Sequence, residues 1–265
     1  MSVIAHLSDL HFGRIRPHVA NALLDSLAQV QPDVIVVSGD LTQRARTAEY
    51  RAARAFLGQL RAPVLAVPGN HDLPAWNVLG RLTRPWRNWQ RHIGPDLQPE
   101  LQTDGCLLVG VLTARRGGWY LDWSRGRIND AQARHVAALA RIQPPHRLRV
   151  VVAHHPFWVP DSSHHRDILG GGPAALAHFR EAGIDLILGG HIHQPFVHLV
   201  SGMLVSHTGT TLSTRLPPGE TNSYTLVRGD RSQLALDHMA WTDGGFNRVG
   251  TQHFARQTGG WQAGA

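Results

Sequence analysis

The sequence predicts an α/β fold built on a parallel sheet, and three observations predict it. Several short apolar runs rich in Val, Ile and Leu lack polar alternation, as strands covered on both faces do. Segments with apolar residues at helical spacing separate them. After about residue 195 the pattern changes to brief runs divided by Gly, Pro, Asn and Asp, the signature of an antiparallel meander. At 265 residues and 42% hydrophobic content, the chain can bury one large core.

The first strand is read at Val3 to Leu7, ending in Ser8-Asp9-Leu10-His11. Asp9 and His11 stand two apart, so on an extended backbone they would share one side. Pro17 to Gln29 carries Val19, Leu23, Leu24 and Leu27 as a crossover helix. Val34 to Val37 is the second strand, followed by Ser38-Gly39-Asp40. Thr47, as N-cap, begins a helix reaching Leu60. Val64 to Val67 is the third strand, stopped by Pro68-Gly69, and three polar side chains follow it: Asn70, His71 and Asp72.

Leu73 to Gln102 is less regular. Its Trp76, Trp86 and Trp89 are read as an amphipathic excursion that packs on the core, not as a base-stacking surface. Cys106 to Leu112 is a strand, and Gly117 to Trp119 a loop. A helix beginning at Asn129 runs to Leu139, and the strand Arg149 to Ala153 ends in His154-His155. A helix over Pro173 to Glu181 is stopped by Gly183, and the strand Ile184 to Leu188 ends in Gly189-Gly190-His191-Ile192-His193. Short strands are expected at 196 to 200, 203 to 207, 224 to 228 and 234 to 239. The expected division is a domain over 1–243 and a polar, Gly-rich C-terminal tail over 244–265, loose or reaching onto a partner.

The formal charge of +7 is carried by arginine, since there is no lysine. No Arg-rich block accompanies it, so the charge is read as compositional and nucleic acid is not an expected partner. One cysteine, Cys106, permits a reducing compartment. With no signal peptide and no apolar run of spanning length, the expectation is a cytoplasmic protein that has no membrane partner.

Five strands end in metal-competent side chains: Asp9 and His11, Asp40, Asn70, His154, then His191 and His193. In open α/β sheets ligands bind at the carboxyl ends of strands. Oxygen and imidazole donors without thiolate suit Mn, Fe or Zn. Seven groups exceed the needs of one tetrahedral ion, so two ions sharing a carboxylate are expected. Such a pair can activate a water for hydrolysis.

The set Asp9-x-His11, Gly39-Asp40, Gly69-Asn70-His71-Asp72, His154 and Gly190-His191-x-His193 resembles the signature of the calcineurin-like metallophosphoesterase superfamily. The match runs in order from Ser8 to His193. Gln43, standing where the protein phosphatases have an Asp, makes the pattern more similar to the bacterial class III cyclic-nucleotide phosphodiesterases. The resemblance implies a four-layer α-β-β-α sandwich of two mixed sheets. It also implies a metal-dependent phosphodiesterase with two transition metal ions acting on a small phosphodiester such as a 3',5'-cyclic nucleotide, and it leaves a homodimer open.

Carried over, Asp9, His11, Asp40 and His193 resemble the ligands of one metal, and Asp40, Asn70, His154 and His191 those of the second. His71 resembles the proton donor near the leaving group, with Asp72 orienting it. His155, beside His154, is the alternative at that position. Arg14 and Arg44 are candidate phosphate contacts, and His207 a candidate substrate or supporting residue. A phosphomonoesterase, a nucleotide-lipid pyrophosphatase and a nuclease are the alternative activities. The nuclease is disfavoured because no length for a DNA-capping domain follows Gly244.

Overall fold

The computed structural model describes residues 1–75, 77–117, 124–160 and 168–264. Two mixed sheets face one another. The first contains β1 (Ser2–Leu7), β2 (Val34–Val37) and β3 (Val64–Ala66) in parallel, continued on the other side of β1 by antiparallel β10 (Ser223–Gly229), β11 (Gln233–Thr242), β12 (Gly245–Gln257) and β13 (Gly260–Ala263). The second runs β4 (Glu100–Gln102), β5 (Cys106–Val111), β6 (Leu148–Ala153), β7 (Leu186–Gly189), β9 (Met203–His207) and β8 (Phe196–Val200), with β5, β6, β7 and β9 parallel. The expected four-layer sandwich is the observed one.

Three apolar clusters explain the layers. Ile4, Val34, Val36 and Leu65 of one sheet meet Leu108, Val150, Val152 and Leu188 of the other, forming the central layer. The alternate residues of β1 and β2, such as Leu7 and Ile35, pack outward on α1 (Pro17–Val30) and α2 (Thr47–Leu57). On the far side, Val109 and Val151 pack on α5 (Asp130–Arg141) and α6 (Gly172–Glu181). Both faces of the inner strands are therefore dry, which is why these strands read as unbroken apolar runs.

Two helix starts show what the sequence did and did not disclose. Asn129 caps α5 as expected: its Oδ1 accepts from Gln132 N at 2.9 Å, and Gln132 Oε1 accepts from Asn129 N at 3.0 Å. Thr47 does not cap α2 but is its first residue. The cap position is Arg46, and the Glu49 carboxylate accepts the N–H groups of Arg44 and Arg46 at 2.8 and 3.2 Å. The excursion after the third strand forms two short helices, α3 (Val78–Thr83) and α4 (Arg87–His92), and Trp89 is buried against Tyr50. Trp76 and 118–123 lie outside the described residues.

The C-terminal expectation is corrected. Residues 245–257 are not a tail but a strand paired with β11 along its length, and β13 folds back on its end. The composition misled because most of β12 is solvated, residues 247–253 being exposed in succession, while Phe254 and, from β13, Trp261 enter the inter-sheet core.

Candidate metal centre

The strands end together at one rim, and their following residues turn sharply. Asp9, His11, Asp40, His191 and His193 all have positive φ, between 48° and 77°. The expectation that Asp9 and His11 extend a strand is therefore replaced: β1 stops at Leu7, and both residues are left-handed. Non-glycine residues in that region cost of order 1–3 kcal/mol each and cluster at functional sites. Here five of them aim side chains at one point. Gly39 and Gly190 permit this crowding, since a Cβ at Gly39 would strike the His154 ring and one at Gly190 the Ser8 and Asp9 side chains.

Two groups of donors result. In the first, His193 Nε2 lies 3.0 Å from Asp9 Oδ1 and 3.2 Å from His11 Nε2, and His11 Nε2 lies 3.6 Å from Asp9 Oδ1. In the second, Asn70 Oδ1 is 3.1 Å from both His154 Nε2 and His191 Nδ1. Asp40 Oδ2 sits between the groups, 3.8 Å from His11 Nε2 and 3.4 Å from His154 Nε2. All seven expected side chains are thus brought together.

The hydrogen bonds at the outer edge of the site determine which nitrogens face inward. His154 Nδ1 donates to Ser38 O at 2.8 Å, His193 Nδ1 to Arg215 O at 3.0 Å and, at longer range, His11 Nδ1 to Thr42 O at 3.4 Å. Each Nε2 then faces carboxylate or amide oxygens, where a proton or a metal ion can lie between nitrogen and oxygen. Ligand imidazoles held by backbone carbonyls are the usual support of a metal. The donor set therefore fits two hard or borderline cations.

Electrostatics agree. Burial alone would raise the Asp9 carboxyl, but the adjacent His193, with His154, holds it well below the usual carboxylate range. Asp40 is likewise held low, against burial, by His154, His71 and His11. Burial would lower His154, but the Asp40 carboxylate outweighs it and pushes the imidazole up to about 9. The rim thus stabilises anionic oxygens beside imidazoles ready to bind a positive charge.

His155 stands beside His154 and His191, close enough to join them at an ion, but its ring nitrogens are engaged elsewhere. Its Nδ1 is bonded to Thr113 Oγ1 at 2.8 Å, and its Nε2 donates to Ser124 O at 2.7 Å, so both ring nitrogens are spent. Its ring supports His191 from behind, with centroids 4.6 Å apart.

His71 flanks the shared carboxylate. Its backbone N–H donates to Asp40 Oδ1 at 2.8 Å, its Nδ1 donates to Gln43 O at 2.9 Å, and its Nε2 lies 2.9 Å from Arg215 Nη1. Asp72 does not orient this ring, contrary to expectation. Its buried carboxylate accepts from Leu41 N, Thr42 N, Thr42 Oγ1 and Gly69 N at 2.9–3.2 Å, joining the loops after β2 and β3. Burial and the Asp40 charge push that carboxyl up to about 7.

Arg14 and Arg44 follow the donors in sequence and are exposed. His207 is buried beneath the site, its Nδ1 donating to Gly190 O at 2.8 Å and its ring stacked on Phe196. His164 and His165 lie outside the described residues. Arg215 was missed altogether: it sits 22 residues beyond His193 in a loop with no motif around it, and only the fold brings it to the site.

Known proteins resemble this chain. Residues 2–195 match the family described as calcineurin-like phosphoesterase. The glycerophosphodiester phosphodiesterase GpdQ of Enterobacter lignolyticus is 42% identical over a stretch covering 26% of this chain and 29% of that protein. A probable cyclic nucleotide phosphodiesterase of Synechococcus is 27% identical over 73% of this chain and 74% of that protein. The 3',5'-cyclic adenosine monophosphate phosphodiesterase CpdA of Escherichia coli is 27% identical over 68% of this chain, but the match spans only 58% of that relative. A dimetal phosphatase from Danio rerio superposes with a TM-score of 0.67 at 14% identity, covering 95% of this chain and 98% of that one. A purple acid phosphatase from yellow lupin gives 0.70 at 12% identity, covering 97% of this chain and 54% of that one. These two likenesses are of fold. No helix among the described residues is long and apolar enough to cross a membrane. The expected class, a metal-dependent phosphoester hydrolase, is that of the family matched, and by a match over most of its length this chain belongs to the calcineurin-like phosphoesterases.

Proposed function

We propose that the protein is a dinuclear metal-dependent phosphodiesterase that hydrolyses a small phosphodiester such as a 3',5'-cyclic nucleotide. The observation that carries this reading is the pair of donor groups meeting at Asp40, with His71 hydrogen-bonded to the same carboxylate. The phosphodiesterase names of its relatives support the diester. On this reading Asp9, His11, Asp40 and His193 hold one ion, and Asp40, Asn70, His154 and His191 the other, with Mn, Fe or Zn suited to the donors. Bound there, the ions would supply Lewis-acid charge and an activated water for an in-line displacement.

The chain's own residues do the remaining work. Ser38, Thr42 and Arg215 carbonyls hold three imidazoles in one tautomer, so the ligands need no reorganisation. Because Gln43 O takes the Nδ1 proton of His71, Nε2 is the atom that would pass a proton to the departing alkoxide. Such a transfer is worth roughly 10²–10⁴-fold. The buried free thiol of Cys106 is in keeping with the cytoplasmic location that belongs to this reading.

The test is the purified, Mn-loaded protein assayed side by side on cyclic AMP, bis-p-nitrophenyl phosphate and p-nitrophenyl phosphate. Diesters should be turned over with the higher kcat/KM. Preference for the monoester would overturn the diesterase assignment and leave a phosphatase of the same family.

A further inference from the structure

Building on the proposed phosphoesterase reading, we infer that Arg215 is a substrate-binding residue, whose guanidinium leaves His71 for a nonbridging phosphoryl oxygen when a phosphoester enters. Three observations carry it.

The first is placement. The loop that bears Arg215 is fastened to the rim: Thr210 Oγ1 donates to Asp9 O at 2.6 Å, Thr211 N to Ser8 O at 3.0 Å and Thr214 N to Arg14 O at 2.8 Å. Buried Asn222 ties the loop to itself through the Thr210 and Ser213 carbonyls. Arg215 therefore stands at a set position above the donors, its own carbonyl holding His193.

The second is chemistry. A guanidinium carries donors only, so the 2.9 Å contact with His71 Nε2 requires a lone pair there, in agreement with the Nδ1 proton lying on Gln43 O. Among the described residues no ion pair sets a carboxylate against Arg215, and a half-buried cation resting on a neutral ring is poorly compensated. A phosphoryl oxygen beside it is the stronger partner, being anionic and matched to the planar fork.

The third is access. While Arg215 Nη1 lies 2.9 Å from His71 Nε2, it covers the one ring nitrogen not bonded to Gln43 O. An anion that draws the guanidinium away opens that nitrogen to the substrate, so one side chain links binding to exposure of His71.

The experiment measures inorganic phosphate binding by calorimetry to Mn-loaded wild type, Arg215→Met and Arg215→Lys, with steady-state kinetics on bis-p-nitrophenyl phosphate alongside. Arg215→Met should bind phosphate at least about tenfold more weakly, the scale of one lost charge-assisted hydrogen bond. Its kcat/KM should fall by a similar factor, chiefly through KM, and Arg215→Lys should recover part of both. Metal content and thermal melting confirm that the variants fold, and Arg215→Gln serves should Arg215→Met misfold. Undiminished phosphate affinity with unchanged KM would overturn the inference and reduce Arg215 to a tether of His71. Wild-type protein that holds two ions yet hydrolyses no phosphoester would instead overturn the underlying functional reading.

Discussion

The Asp40 carboxylate accepts the backbone N–H of His71 at 2.8 Å through one oxygen and faces both donor groups with the other. The residue common to the two ligand sets is thereby also the anchor of the proposed proton donor. Position and charge at the reaction centre depend on one side chain delivered by the turn after β2.

Replacing the proton donor should separate binding from chemistry. His71→Ala is expected to retain its metal and to lose about 10²–10⁴ in kcat on alkyl esters, whose leaving groups need protonation. On p-nitrophenyl esters the loss should be much smaller. A rate comparison across leaving groups checks this, and equal losses would remove His71 from the proton-transfer role.

Asp72 should behave as a scaffold residue. Asp72→Asn puts an amide NH2 against two of the donors that the carboxylate now accepts, which is expected to destabilise the protein by about 1–3 kcal/mol. The effect on kcat should be well below that of His71→Ala. A variant with wild-type denaturation but a His71→Ala-like loss of rate would restore the orienting role.

Acid should weaken the metal-free protein before Asp9 and Asp40 titrate. Burial lowers His6 to about 3, and His11 and His207 to about 4. Between the ordinary histidine pKa of 6.5 and about 4, the unfolded chain binds these protons and the folded chain does not, so stability falls as pH falls. His155, His92 and His238 are lowered as well and add to the fall. His154, raised to about 9, and His193, also raised, oppose it only near pH 6.5, where the unfolded imidazole is half protonated, and Asp72, raised to about 7, opposes it throughout the window. Urea unfolding in chelator should show the decline, and His6→Gln should flatten it by about 1 kcal/mol per pH unit. Stability constant from pH 6.5 to 4 would contradict the assignment of neutral buried imidazoles.

The last two strands should be indispensable. Phe254→Ala is expected to cost about 3–5 kcal/mol, as a buried aromatic does, and deletion from Gly245 onward should abolish cooperative unfolding. A truncated chain that melts like the intact one would show that 245–263 is dispensable after all.

Much of the centre was legible because each donor follows an apolar strand, and strand ends in such sheets share an edge. Asp9, Asp40 and His154 could be placed this way from β1, β2 and β6. What escaped depended on contacts between distant segments. Arg215 has no flanking pattern, Asp72 looks in sequence like a partner of the residue beside it, and His207 reads like any histidine at a strand end. The strand Gly245–Gln257 was hidden because its solvated residues imitate a disordered composition. That the ring nitrogens of His155 are engaged by the Thr113 hydroxyl and the Ser124 carbonyl, while His154 Nε2 faces Asp40, was likewise beyond spacing rules.

Metal stoichiometry of the active protein tests the central claim most directly. Elemental analysis of wild type and Asp40→Asn, matched to diester turnover, should find two transition metal ions per wild-type chain. In the variant, ions at both positions should be weakened, with activity down by more than about 100-fold, beyond the 10–100-fold typical of losing a group that only supports a ligand. Full activity in protein that carries no transition metal, or two tightly held ions in Asp40→Asn, would contradict it.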